Sequence, residues 1–108
     1  MDAKTLRREV DKKRAEATRR RQLADRKKQD ASGHHAIGLD DKAVAEEREI
    51  EALIEEADRL EQQAEQLDAT AAATVAAAVA IEHREKQLKK ELEHKIDDLE
   101  KERRRLLG

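Results

Sequence analysis

The sequence contains no cysteine, proline, phenylalanine, tyrosine or tryptophan, and it has only one methionine, Met1. Without cysteine there is no disulfide framework, no thiolate metal site and no thiol nucleophile. Without aromatic residues, and with alanine dominating the apolar 37%, the chain lacks the bulk for a globular core of ordinary size. These absences argue against an enzyme, because catalysis needs a concave site that excludes water.

Long apolar runs are also missing. The longest uncharged run, residues 69–81, has thirteen residues, which is too short and too weakly apolar to cross a bilayer. The N-terminus has no apolar stretch that resembles a signal peptide. We therefore expect an intracellular protein that does not contact membranes, in the cytoplasm or alternatively in the nucleus.

Charged residues are abundant instead, at 46% of the 108 residues, against ~25% in an average globular domain. With three glycines and many Ala, Glu, Lys, Arg and Leu residues, this composition favours long helices. The one clear interruption is the segment 32–38, where Gly33 is suited to end a helix and Asp40 to begin the next. The sequence predicts a basic helix over 1–31, a Gly/His loop over 32–39 and a long helix over 40–107.

The long helix carries a heptad repeat, with position a at residues 50, 57, 64 and onward and position d at 53, 60, 67 and onward. Thirteen of the seventeen a and d positions are apolar, and a stripe this regular is typical of a coiled coil. After Leu92 the better frame runs through Ile96 rather than Lys95, which is a stutter. The helix divides by composition into an acidic half (40–69), an Ala-rich part (69–81) and a mixed-charge part (82–107).

The first helix contains a seven-residue repeat, in which each unit combines a small apolar residue with a basic triplet. The triplets recur every ~10.5 Å along one side of a helix. We call these nine residues the basic stripe: Lys12, Lys13, Arg14, Arg19, Arg20, Arg21, Arg26, Lys27 and Lys28.

The net charge of −2 hides an asymmetry between blocks. Residues 1–31 carry 12 basic and 6 acidic side chains, whereas residues 39–69 carry 3 basic and 12 acidic ones. Blocks of matching length and opposite sign predict an antiparallel hairpin with residue i opposite residue 71 − i, although two extended helices that each pair with a copy remain an alternative. The predicted hairpin seam consists of Leu6, Val10, Ile50, Leu53, Leu60 and Leu67.

Beyond the hairpin, the second helix has to bury its own seam. We expect either a homo-oligomer or a different helical protein as the partner, in parallel or antiparallel orientation. The fold class is thus all-α, an elongated coiled coil in which a long second helix projects beyond an N-terminal hairpin. The predicted partner-binding seam consists of Ile81, Leu88, Leu92, Ile96, Leu99 and Leu106.

Histidines offer little chemistry. His34 and His35 are adjacent and cannot easily turn to one ion, so no metal site is predicted, and no cofactor or small-molecule substrate is expected. The sequence favours a non-enzymatic coiled-coil protein with a structural, assembly or adaptor role. The alternative is a basic arm that binds nucleic acid or another acidic polymer surface, although no aromatic side chain is present to stack on bases.

Overall fold

The computed structural model describes residues 1–108. The chain forms two α-helices and no strand: α1 spans Ala3–Ala36 and α2 spans Asp40–Leu107. The predicted all-α class with two helices is therefore confirmed. Two compact units can be distinguished, Met1–Ala72 and Ala73–Gly108.

A side-chain cap begins α1. The Oδ1 atom of Asp2 accepts a hydrogen bond from the Thr5 backbone N–H at 2.7 Å, which satisfies one of the free amides of the first turn. This hydrogen bond lowers the pKa of Asp2, because the charged carboxylate is the better acceptor. The cap therefore holds in place the helix end that lies before Leu6, the first buried residue of α1.

The end of α1 corrects the sequence prediction. The helix continues through Gly33 to Ala36, so the predicted loop from residue 32 is wrong. The glycine with positive φ is Gly38, at 81°. Its N–H donates to the His35 carbonyl and the N–H of Leu39 donates to the His34 carbonyl, which is the Schellman pattern with Gly38 at C′. Five more helical residues extend the packing against α2 and shorten the connection to three residues.

In the unit Met1–Ala72, α1 packs antiparallel on the first part of α2, which confirms the predicted helical hairpin. The register differs from the prediction that residue i lies opposite 71 − i. Ion pairs join residues whose numbers add to between 76, as in Lys27 with Glu49, and 82, as in Arg14 with Asp68. The shift follows from the longer α1, which moves the turn toward the C-terminus.

The unit Ala73–Gly108 consists of the remaining part of α2. All of its residues are exposed except Thr74, which is half-buried. Its exposed residues include large apolar side chains from Val75 to Leu107. No helix in the chain is both long and apolar enough to span a membrane.

Candidate functional site: helix-pairing surfaces

The core of the hairpin is a set of residues spaced by seven on each helix. Leu6 and Val10 of the predicted seam are buried, as is Ile50. Alanine fills all seven other buried positions, because a small side chain at every seventh residue lets two helices approach closely. The buried alanines are Ala17, Ala24, Ala31, Ala43, Ala57, Ala64 and Ala71.

The leucines of the predicted hairpin seam lie at its edge. Leu53, Leu60 and Leu67 are half-buried. Leu53 packs against the cluster formed by Ala24, Ala31, Ala43 and Ile50. The equivalent column of α1 carries long basic side chains, whose hydrocarbon stems can cover apolar surface while their charges stay in water. Lys13 and Leu67 accordingly line the same surface groove.

The middle residue of each basic triplet contacts heptad position g of α2, which is occupied by acidic or amide side chains. Lys27 Nζ lies 2.5 Å from Glu49 Oε2, and the guanidinium of Arg20 lies 3.5 Å from Glu56 Oε2. Lys13 Nζ donates to Gln63 Oε1 at 3.0 Å. The hydrogen bond that Lys27 donates to Glu49 raises the pKa of Lys27. The sequence repeat of seven therefore becomes a ladder of contacts that also repeats every seven residues.

The third residues of the first two triplets, Arg14 and Arg21, form a second ladder on the other side of the seam, mainly with heptad position e. Arg14 pairs with Asp68 at 3.7 Å, and Arg21 pairs with Glu61 and, at 3.1 Å, with Asp58. These bonds raise the pKa of Arg21 and lower that of Glu61. The ladder is interrupted where position e is Ile54, which lines a groove with Lys28.

The first residue of each triplet points away from α2. Lys12 forms an ion pair only with Glu9 of its own helix, at 3.6 Å, and Arg19 and Arg26 are exposed without an ion pair. In the first two triplets, two cations thus face α2 and one faces solvent. In the third, Lys27 pairs with Glu49 and Lys28 forms no ion pair with α2.

A polar cluster lies beside the turn, and the sequence reasoning missed it. His34 Nδ1 lies 2.7 Å from Glu46 Oε1, at 23% and 14% side-chain exposure. The ring of His35 joins Asp40 through Nδ1 and Glu47 through Nε2, each at 2.8 Å, and these bonds raise the pKa of His35. A signal was present, because residue 34 continues the column of Lys13, Arg20 and Lys27.

The predicted partner-binding seam, here called the C-terminal seam, lies in the unit Ala73–Gly108. Its side chains recur at spacings of three, four or seven residues along α2, and each is between 46% and 75% exposed. Intrahelical pairs surround it, such as Lys89 with Glu85 at 3.3 Å. The seam residues are Ile81, Leu88, Leu92, Ile96, Leu99 and Leu106.

Titratable residues are numerous, but no group of three or more His, Asp or Glu residues is arranged to hold a metal ion. Comparison with protein-family models, with curated proteins and with solved structures gives no match for this chain. The candidate functional features of the chain are therefore its two helix-pairing surfaces. One is the hairpin interface, which is covered, and the other is the C-terminal seam, which is exposed.

Proposed function

We propose that this chain is a non-enzymatic helical assembly protein that joins polypeptides through helix pairing. The observation that carries the proposal is the C-terminal seam, whose six aliphatic side chains follow coiled-coil spacing and are exposed. Scattered apolar residues on a surface are ordinary, whereas a continuous stripe marks an interaction face. The proposed partner is a second helix that covers this stripe.

The energetics favour a partner that spans the whole seam. Fully burying one Leu or Ile is worth ~1.5–3 kcal/mol, so six give on the order of 10 kcal/mol. Association itself costs about 4–15 kcal/mol. A partner that covered only two or three of the residues would not recover this cost, so we expect a helix of similar length.

The proposal includes no catalytic step. The grooves in the unit Ala73–Gly108 are lined by exposed charged side chains, for example Lys101, Glu102 and Arg105. Enzyme sites are instead concave and exclude water. The hairpin, in which four of the nine basic-stripe residues form ion pairs with α2, acts in this proposal as a folded module attached to the docking helix.

A photo-crosslinking amino acid tests the proposal. It is placed at Lys89, beside the C-terminal seam, or at the matched control Lys90, on the opposite side of the helix; both residues are exposed. We expect position 89 to form adducts with a polypeptide that peptide mapping identifies as a heptad helix, and position 90 to form few. Equal yields at both positions, or adducts with nucleic acid alone, would overturn the proposal.

A second candidate function rests on the outward cations of the basic stripe. Arg19 and Arg26 are seven residues apart, exposed and without an ion pair, so they could follow a phosphate backbone. Acidic neighbours such as Asp25 weaken this surface. A gel shift at physiological salt that disappears in the Arg19→Glu/Arg26→Glu variant would favour nucleic-acid binding as the function.

A further inference from the structure

Together with Ala78, Glu85 and Arg103, the C-terminal seam forms a row of positions that is symmetric about one residue. Taking the seam positions in order from 78 to 106, the spacings on the two sides of Leu92 are the same: four, three, four and three. In a second copy running in the opposite direction, seam positions therefore lie level with seam positions. Aliphatic residues meet in the central layers, and a charged residue meets an aliphatic one in the layers of Glu85 and Arg103. The residue numbers in each layer add to 184, which pairs Leu92 with itself, Leu88 with Ile96, Glu85 with Leu99, Ile81 with Arg103 and Ala78 with Leu106.

We propose that the partner of the C-terminal seam is the same seam of a second copy, antiparallel and centred on Leu92. This inference rests on the proposed function and names its partner. It uses only residues of the unit Ala73–Gly108, where the six aliphatic seam side chains are exposed in the single chain.

Two charged residues in this row, Glu85 and Arg103, distinguish the parallel from the antiparallel orientation. In a parallel pair in register, Glu85 meets Glu85 of the second copy and Arg103 meets Arg103, and both meetings place like charges in the seam. In the antiparallel pair Glu85 lies one helical turn from the level of Arg103 of the second copy. Opposite charges then meet at both ends of the interface.

The hairpin of the same chain shows which flanking residues meet across an antiparallel pair. Its seam layers, such as Ala24 with Leu53, have numbers that add to 77, whereas the ion pair of Arg21 and Glu61 adds to 82. The difference arises because helical side chains lean toward the N-terminus of their own helix. Across the hairpin as a whole, flanking charges meet at numbers from one below the layer value, as in Lys27 with Glu49, to five above it.

Applied to the C-terminal seam, this rule brings opposite charges together. For a layer value of 184, flanking partners have numbers that add to about 183–189. Like charges also meet in this range, since Glu93 approaches its own copy and Glu91 approaches Asp98. The complementary pairs, each formed twice by symmetry, are Arg84 with Glu102, Glu91 with Lys95, Lys89 with Glu100 and Glu85 with Arg103.

Engineered cysteines test the orientation, because the chain has none of its own. Full-length Leu88→Cys and Ile96→Cys chains are oxidised in glutathione buffer, alone and mixed. We expect the disulfide-linked dimer mainly in the mixture, and the Leu92→Cys chain to link to itself. Linkage of each single variant with itself, equal to that in the mixture, would show parallel pairing and overturn the proposal.

Sedimentation equilibrium with charge variants tests the pairing itself. Arg84→Glu should raise the dimer Kd about tenfold, since two ion pairs become repulsive, and adding Glu102→Arg should restore it to within about threefold. Lys90→Glu, with the same charge change on the opposite side of the helix, is the matched control and should leave Kd unchanged.

Equal effects of Arg84→Glu and Lys90→Glu, or a wild-type chain that stays monomeric at ~1 mM, would overturn self-pairing. The proposed function would instead be contradicted by equal crosslinking yields at positions 89 and 90. If the Lys89 crosslinker captures a heptad helix of another protein while the pure chain is monomeric, assembly stands and only the second copy as partner is wrong.

Discussion

Alanine at every seventh residue sets how closely α1 and α2 approach. Ala17, Ala57 and Ala64 are completely inaccessible to solvent although each contributes only a methyl group. The close approach also brings the basic side chains of α1 within ion-pair distance of α2, as in Arg20 with Glu56. The small side chains of one column and the charged side chains of the neighbouring column therefore act together to hold α1 on α2.

Enlarging one of these alanines should destabilise the hairpin. Ala57→Leu adds three carbon atoms to a closed layer, and overpacking of this kind costs about 1–3 kcal/mol. Helix propensity changes little between Ala and Leu, so the loss reports packing. Urea unfolding followed by circular dichroism measures it. The control Ala76→Leu, at an exposed position, should cost far less, and equal losses would contradict the role of Ala57.

His35 should make hairpin stability depend on pH. Its pKa is raised in the folded chain by hydrogen bonds to Asp40 and Glu47, so protonation favours the folded state. The stabilisation is complete below the unfolded pKa of ~6.5 and is lost as pH rises through the raised folded value.

We therefore expect a higher melting temperature at pH ~6 than at pH ~8, while the carboxylates remain ionised. His35→Gln should remove most of this difference, and an NMR titration should give His35 a pKa above the ordinary histidine value. A melting temperature that rises with pH over this range would contradict the assignment.

At the scale of helical elements, the two glycines near the turn have different tasks. Gly38 adopts φ of 81° at the C′ position of α1, whereas Gly33 lies within the helix, and nothing lies within 4 Å of a Cβ placed on either residue. The left-handed conformation is unfavourable for residues with a Cβ, so only Gly38 is required by the backbone.

Matched alanine substitutions should therefore have opposite effects. Gly38→Ala should destabilise the hairpin by about 1–2 kcal/mol because of its positive φ. Gly33→Ala should stabilise it by about 0.5–1 kcal/mol, since alanine is the better helix former. Thermal melts of the two variants provide the comparison. Destabilisation by Gly33→Ala would mean that α1 ends where the sequence alone suggested.

The helix ends also show what the sequence could reveal. The heptads and the Asp residues at 40 and 41 predicted a helix over 40–107, and α2 covers Asp40–Leu107. The end of α1 was missed because Gly33 resembles a C′ glycine locally. A glycine inside a helix costs only ~1 kcal/mol relative to alanine, which the packing of Ala31 against Ala43 offsets.

The charge ladders were predictable in sign but not in detail. The sequence showed a basic block and an acidic block of equal length, and this predicted the antiparallel hairpin. It did not show that the residues of a triplet divide between two ladders and solvent, because that division depends on the register. The register in turn depends on where α1 ends. Assigning the C′ position to Gly33 instead of Gly38 therefore shifted every expected partner.

At the scale of the whole molecule, the net charge of −2 is a cancellation between blocks of opposite sign. In the unit Met1–Ala72, basic side chains of α1 meet acidic ones of α2 in at least four ion pairs, among them Arg14–Asp68 and Lys27–Glu49. Each exposed ion pair is weak, but repetition along one interface adds their effects. The charges therefore help to select the antiparallel register in addition to keeping the chain hydrated.

This distribution predicts that salt weakens the hairpin. Raising NaCl from ~0.01 M to ~1 M shortens the Debye length from ~30 Å to ~3 Å and screens exposed ion pairs. We expect the α1 amides to lose protection against hydrogen exchange over this range, because the Ala-based seam is narrow. The variant Arg21→Gln/Glu61→Gln lacks one ion pair of the ladder. Its α1 amides should be less protected at low salt and should lose less protection when salt is added. Protection that is independent of salt in the wild-type chain would show instead that the alanine and leucine packing alone holds α1 on α2, and that the matched charge blocks contribute nothing to the pairing.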